Sequence, residues 1–316
     1  MVGQSGGHPR IVRYADLEPC YDAFIDTRTP GSDRKENFTI VGPGVSENPN
    51  QYVHITEPHG FNIGGARQPP GCVNSQHSHE TVEVFFVHTG TWSFNLGEDG
   101  DDAQIVLNPG DFISIPTHVF RGFENVGENT GFLWAVLGND NPGRVLWAPN
   151  VFDMAKQYGL VLLENGNLID TSKGERVPVG IEAMPVTTKA QVDALKTFSH
   201  QELRDCCVLK DDKVPVESAG GIQRRSLIGA QTKLDWEHGF IAEDIHCSGG
   251  ASFTPANHSQ AEVVFIHRGT LTVMVDGEAW VLESGDTASI PKGAARTFHN
   301  KARNALQFIR VEGVHS

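Results

Sequence analysis

The chain has 316 residues, 25 Lys and Arg against 39 Asp and Glu, a formal charge of −14, and 39% hydrophobic residues. That composition argues against disorder, and the longest apolar stretches, such as the one from Phe132 to Leu137, fall far short of the roughly 20 residues a membrane helix needs. No basic run exceeds Arg224-Arg225, so neither a nucleic acid nor a membrane is expected as partner, and a small molecule is.

The amino terminus, Met-Val-Gly-Gln-Ser-Gly-Gly-His, has no apolar core behind a basic start, which leaves a cytoplasmic location as the expectation. Short, alternating, β-branched runs bounded by Gly, Pro, Asn and Asp predict strands over 82–87, 91–96, 104–107, 112–115 and 131–137. A helix is expected over 150–158 with Asn150 as cap and Gly159 behind it, and Asn165-Gly166 suggests a hairpin. Val192 and Leu195 form a partial helical stripe after Thr188, and Ser199 to Glu202 has the form of a capping box. Strands return over 263–266, 271–275, 279–282, 287–290 and 305–311, with Asp276-Gly277 as a hairpin turn. Five cysteines, Cys20, Cys72, Cys206, Cys207 and Cys247, form no C-x-x-C pair and read as reduced thiols.

The two groups of strands are copies. A shift of 179 residues lays His59-Gly60-Phe61 on His238-Gly239-Phe240, and the run from Glu83 to His88 on the run from Glu262 to His267. A shift of 175 lays Gly110-Asp111 on Gly285-Asp286, Ser114-Ile115-Pro116 on Ser289-Ile290-Pro291, and Asn125 on Asn300. Two long copies make a duplicated domain rather than a solenoid. The chain is therefore all-β, with two small antiparallel barrels at 1–140 and 205–316 and a partly helical connecting segment at 141–204.

In the first copy, His77, His79 and Glu83 are separated by even numbers, so in extended chain their side chains share one face. Two imidazoles and a carboxylate can hold a divalent transition metal with positions left open; Fe(II) suits this set best among redox metals, and Mn, Ni or Zn also fit. The second copy has Ala256 in place of the first His, leaving His258 and Glu262, with His246 as a further candidate ligand. Arg121 and Arg296 repeat near each group. A guanidinium about 5 Å from a bound cation costs roughly 3 kcal/mol at an effective dielectric near 20. Something anionic must therefore lie between: either Glu83 pairs with Arg121 and no metal binds, or a substrate carboxylate or enolate bridges Arg121 and the metal, and the second alternative is favoured for the first barrel. His88 and His267, at odd parity, are expected to face outward or to satisfy a turn, His59 and His238 to serve packing or turns, and His118 to face away from the ligands. Phe85, Phe86, Trp92, Phe94, Phe120 and Trp134 read as core, some of them lining a cavity.

The series Gly71, His77, His79, Glu83, Gly90 resembles the first motif of the cupin superfamily, and Gly110, Pro116, Arg121, Asn125 resembles its second, with Arg121 where the family usually has a fourth ligand, a His. The resemblance covers both copies and implies a bicupin of two double-stranded β-helix, or jelly-roll, barrels. Among bicupins of this length it points to the gentisate and quercetin dioxygenase groups. The implied function is a non-haem iron oxidoreductase, a dioxygenase acting on a small aromatic or enolisable anionic substrate, with His77, His79 and Glu83 as metal ligands and Arg121 as the catalytic anion anchor. The alternatives are a non-oxidative isomerase, decarboxylase or lyase using the same metal, and a metal-free bicupin binding small anions. Pairing of barrel outer faces in the family implies a homodimer.

Overall fold

The structure, a computed structural model, describes residues 8–212, 214, 216–256 and 259–314 and divides into two compact units. One comprises Glu18–Thr56 and Asn62–Lys210; the other comprises the segment up to Leu17, Glu57–Phe61 and the chain from Asp211 onward.

In the first unit, a seven-stranded sheet runs in the order Cys207–Val208, Phe112–Ile115, Glu83–Thr89, Gly131–Gly138, Phe61–Gln68, Glu36–Val41, Val53–Ile55. A five-stranded sheet runs Val145–Trp147, Val73–His79, Arg121–Asn125, Trp92–Leu96, Ala103–Leu107. The second unit repeats the plan, with Arg10–Val12, Thr287–Ile290, Glu262–Arg268, Leu306–Gly313, Phe240–Cys247, Ile222–Ile228 and Glu217–Ala219 in one sheet and Ser252–Phe253, Arg296–His299, Leu271–Val275 and Glu278–Leu282 in the other. These are two jelly-roll barrels. The strands lie where the alternating runs predict them, and Asp276-Gly277 turns with both residues at positive φ, as a tight hairpin requires.

The units are not contiguous in sequence. Each large sheet takes its edge strand from the segment that precedes the other barrel: Cys207–Val208 pairs with Phe112–Ile115, and Arg10–Val12 pairs with Thr287–Ile290. The repeated Gly-Asp accounts for this. Asp111 accepts the backbone N–H of Lys210 at 2.9 Å, and its counterpart Asp286 accepts that of Tyr14 at 3.0 Å, while Arg13 pairs with Asp286 at 2.6 Å. Each captured segment covers a row of backbone groups that would otherwise be left open.

The helix in the connecting segment is Pro149–Gln157, capped by Ala148 and not by Asn150, because Pro149 supplies the fixed φ of a first helical position and lacks the N–H that a cap would serve. It buries Val151 and Ala155 in a cluster with Ile25, Phe120, Trp147 and Leu160. Thr188 and Ser199 both form capping boxes over short helices, Lys189–Asp193 and His200–Asp205. No helix among the described residues is long and apolar enough to cross a membrane.

Candidate functional site

The first barrel encloses a cavity of about 90 Å³. Phe38, Phe85, Phe123, Leu137 and Trp147 make much of its wall, and His77, His79 and Glu83 lie together in it. The two histidines stand on Val73–His79 in the smaller sheet. Glu83 opens Glu83–Thr89 in the larger sheet, after the chain has crossed over at 80–82. Parity along one strand thus accounts for the histidines, whereas Glu83 meets them from the opposing sheet.

Each of the three is buried, and each offers a donor atom within 4.8 Å of the others. His79 Nε2 lies 3.4 Å from Glu83 Oε2, and His77 Nε2 lies 4.0 Å from it. Burial, with the Arg121 charge second, drives the His77 pKa down to about 3 and that of His79 well below its ordinary value, so both rings are neutral at pH 7. A neutral ring donates through one nitrogen only. His77 Nδ1 lies 2.7 Å from the Ser75 carbonyl, which can only accept, so the proton sits on Nδ1 and the Nε2 lone pair faces Glu83. His79 Nδ1 is buried without a hydrogen-bond partner. Two neutral imidazoles and one carboxylate aimed at a common point fit a divalent transition metal, and such rings need shed no proton to bind it.

Arg121 pairs with Glu83, one of the two arrangements the sequence leaves open, while its Nη2 is buried without a hydrogen-bond partner. Its guanidinium is wholly buried, donates from Nε to Glu83 Oε2 at 3.2 Å and from Nη1 to the Val119 carbonyl at 3.1 Å, and does not line the cavity. The physical reason is that Glu83 is the only carboxylate beside it in the barrel interior, and a buried guanidinium pairs with the nearest one. Burial pushes the Glu83 pKa up, and Arg121 pulls it back.

The second barrel fills the equivalent space. Glu243, Arg310 and Glu312 stand where the first barrel has Gly64, Ala135 and Leu137. Arg310 donates to Glu262 at 2.7 Å, to Glu243 at 3.0 Å and to Glu312 at 2.5 Å, while Arg296 holds Glu262 at 2.9 Å. His246 pairs with Asp244 at 3.0 Å and joins no ligand cluster, and His258 lies outside the described residues.

The other repeated residues serve the fold. Asn125 and Asn300 each donate to two carbonyls and accept one backbone N–H, on matching partners, so the last residue of the second motif shapes a turn. His59 and His238 hold the carbonyls of Glu57 and Trp236, both at 2.6 Å. His88 and His267 are buried, against the outward position that parity suggests, because the strand that carries each is covered on both faces; the His88 ring stands edge-on to Phe132. His118 is exposed and turned away at positive φ.

Asn74 was not visible as a site residue. A β-bulge pairs Arg121 with His77 but Phe123 with Asn74, so four residues (74–77) stand opposite three (121–123), and Asn74 joins His77 on the cavity face despite its odd spacing. Gly122 marks the bulge: a Cβ there would fall 2.7 Å from the Asn74 carbonyl oxygen, a backbone atom that cannot move aside.

A family model for the Cupin domain matches residues 66–136 and 245–312. No curated protein sequence matches the chain. Among solved structures it is similar to oxalate decarboxylase from Lactobacillus farciminis, with 12% identity, 97% of this chain and 87% of that chain covered, and a TM-score of 0.59. A deletion mutant of Bacillus subtilis oxalate decarboxylase gives 12% identity, 98% and 78% coverage and a TM-score of 0.57. Procruciferin, an 11S globulin from Brassica napus, gives 14%, 80% and 76%, and 0.54. With a cupin motif pair and a jelly-roll barrel in each half, the chain belongs to the cupin superfamily as a bicupin.

Proposed function

We propose that the amino-terminal barrel is a metal-dependent active site for non-oxidative chemistry, namely isomerisation, decarboxylation or lyase cleavage, on a small carboxylate or enolisable substrate. The observation that carries this reading is the convergence of His77 Nε2, His79 and Glu83 in a phenylalanine-lined cavity. The similarity to oxalate decarboxylases, fold-level at 12% identity, sets non-oxidative chemistry ahead of a dioxygenase reaction.

His77, His79 and Glu83 would hold the ion, Fe(II), Mn, Ni or Zn, which as a Lewis acid draws charge onto a substrate oxygen. The Ser75 carbonyl fixes the His77 tautomer, and the Trp147 ring packs at 5.3 Å against that imidazole, restricting its rotation. Arg121 orients the Glu83 carboxylate from behind. The aromatic wall keeps water from a carbanionic or enolic species. Among the described residues no Lys, Arg or Asp lines the cavity.

A metal-free reading has one observation in its favour: the Glu83–Arg121 bond balances charge without an ion. Elemental analysis of protein purified without chelator separates the two. Close to one equivalent of a transition metal is expected; less than a tenth, not restored by Fe(II) or Mn(II), overturns the enzyme reading. Oxygen uptake during turnover of a panel of small carboxylic acids and enols would return the reaction to the dioxygenase class.

A further inference from the structure

Two amides in the cavity wall have unspent hydrogen-bonding capacity. Asn37 Nδ2, on the strand Glu36–Val41, and Asn74 Nδ2, brought inward by the bulge, are both buried without a hydrogen-bond partner, and both residues line the cavity. A buried polar group left unpaired is destabilising, and a ligand oxygen would offset that. Thr39, Ser46 and Gln51 also line the cavity but are hydrogen-bonded within the protein, and beyond the ligand cluster the rest of the wall is aromatic and aliphatic, with Phe85 edge-on to Phe123 and Trp147 beside His77. Arg121, which donates to Glu83 and Val119 and keeps Nη2 without a partner, does not line the cavity.

We propose that the cavity takes a small, predominantly apolar ligand carrying at most one negative charge, with the amides of Asn37 and Asn74 meeting a hydrogen-bonding oxygen of that ligand. This rests on the metal reading above only where the ligand meets the ion. The rest of the recognition belongs to the wall and operates in the metal-free protein as well.

The test uses three probes: benzoate, neutral benzamide, and malonate as a compact dianion. Calorimetry on metal-loaded protein is expected to show benzoate binding at least ten-fold more tightly than malonate. Asn74→Leu, similar in shape but without the amide, is expected to weaken benzoate and benzamide at least five-fold while metal content stays at the wild-type value. Benzamide is expected to show the same five-fold sensitivity in metal-free protein. Tighter binding of malonate, or an unchanged affinity in Asn74→Leu, overturns the proposal and leaves the metal reading standing. Absence of metal with benzamide binding intact overturns the metal reading and leaves this one. If Asn74→Leu fails to fold, Asn37→Leu is read in its place against the same thresholds.

Discussion

Ala135 and Arg310 stand at the same position of the two barrels, paired across the sheet with Phe85 and Val264 respectively. Where alanine leaves room, there is a cavity with two histidines and a glutamate; where arginine stands, three glutamates close around it. Arg310, with Glu243 and Glu312 in place of Gly64 and Leu137, makes the second interior one held together by its own charges.

Placing an arginine at the position of Ala135 tests whether the cavity and the ion share the space beside Glu83. Ala135→Arg is expected to pair with Glu83, fill the cavity and reduce metal content to less than a tenth of wild type by elemental analysis, with an unchanged far-ultraviolet circular dichroism spectrum. Full metal retention would show that the ion does not sit at Glu83.

The converse change tests the ionic core. Arg310→Ala leaves Glu243 and Glu312 without their buried partner and Glu262 with Arg296 alone. Removing one member of a buried ion network costs about 3–5 kcal/mol, which urea unfolding of the carboxy-terminal barrel would register as a lower midpoint.

The metal ligands should separate by barrel. His79→Ala is expected to abolish metal retention, whereas His258→Ala in the second copy changes it little; equal losses would contradict the division of roles.

Arg121 opposes a metal while supporting Glu83. In Arg121→Gln the metal-free protein is expected to lose about 3 kcal/mol in urea unfolding, because Glu83 is left buried and unpaired. The relief of roughly 3 kcal/mol of repulsion should tighten metal binding by about a hundred-fold in a chelator competition. Loss of metal in this variant would instead make the guanidinium essential for aiming the carboxylate.

Glu47 supplies a pH dependence away from the ligands. It accepts from Trp147 Nε1 and from the Ile25 backbone N–H, both at 2.6 Å, and burial, against those bonds, raises its pKa to about 8; Asp26 and Lys35 are its charged neighbours. A raised acid binds its proton more tightly in the folded state. Its contribution is full below about pH 4.5 and is lost as pH rises through about 8, a change on the order of several kcal/mol. Urea unfolding between pH 5 and 9 should show that decline, and Glu47→Gln should flatten it.

The duplication, the strands and the identity of the ligand cluster are legible in the order of residues, because strand periodicity, turn residues and donor spacing are local properties. His77 and His79 share a face by parity, Thr188 and Ser199 announce their helices, and the paired motifs carry the family. Position across space is not local. That Glu83 arrives from the opposite sheet, that Asn74 is turned inward by a bulge over Gly122, and that Arg121 spends its charge on Glu83 each depend on which strands lie side by side. The exchange of edge strands and the filling of the second barrel by Arg310 are of the same kind, since backbone pairing and buried charge are settled by neighbours distant in sequence. The residues fixed what each strand could offer; only the closed barrel decided what each offer would meet.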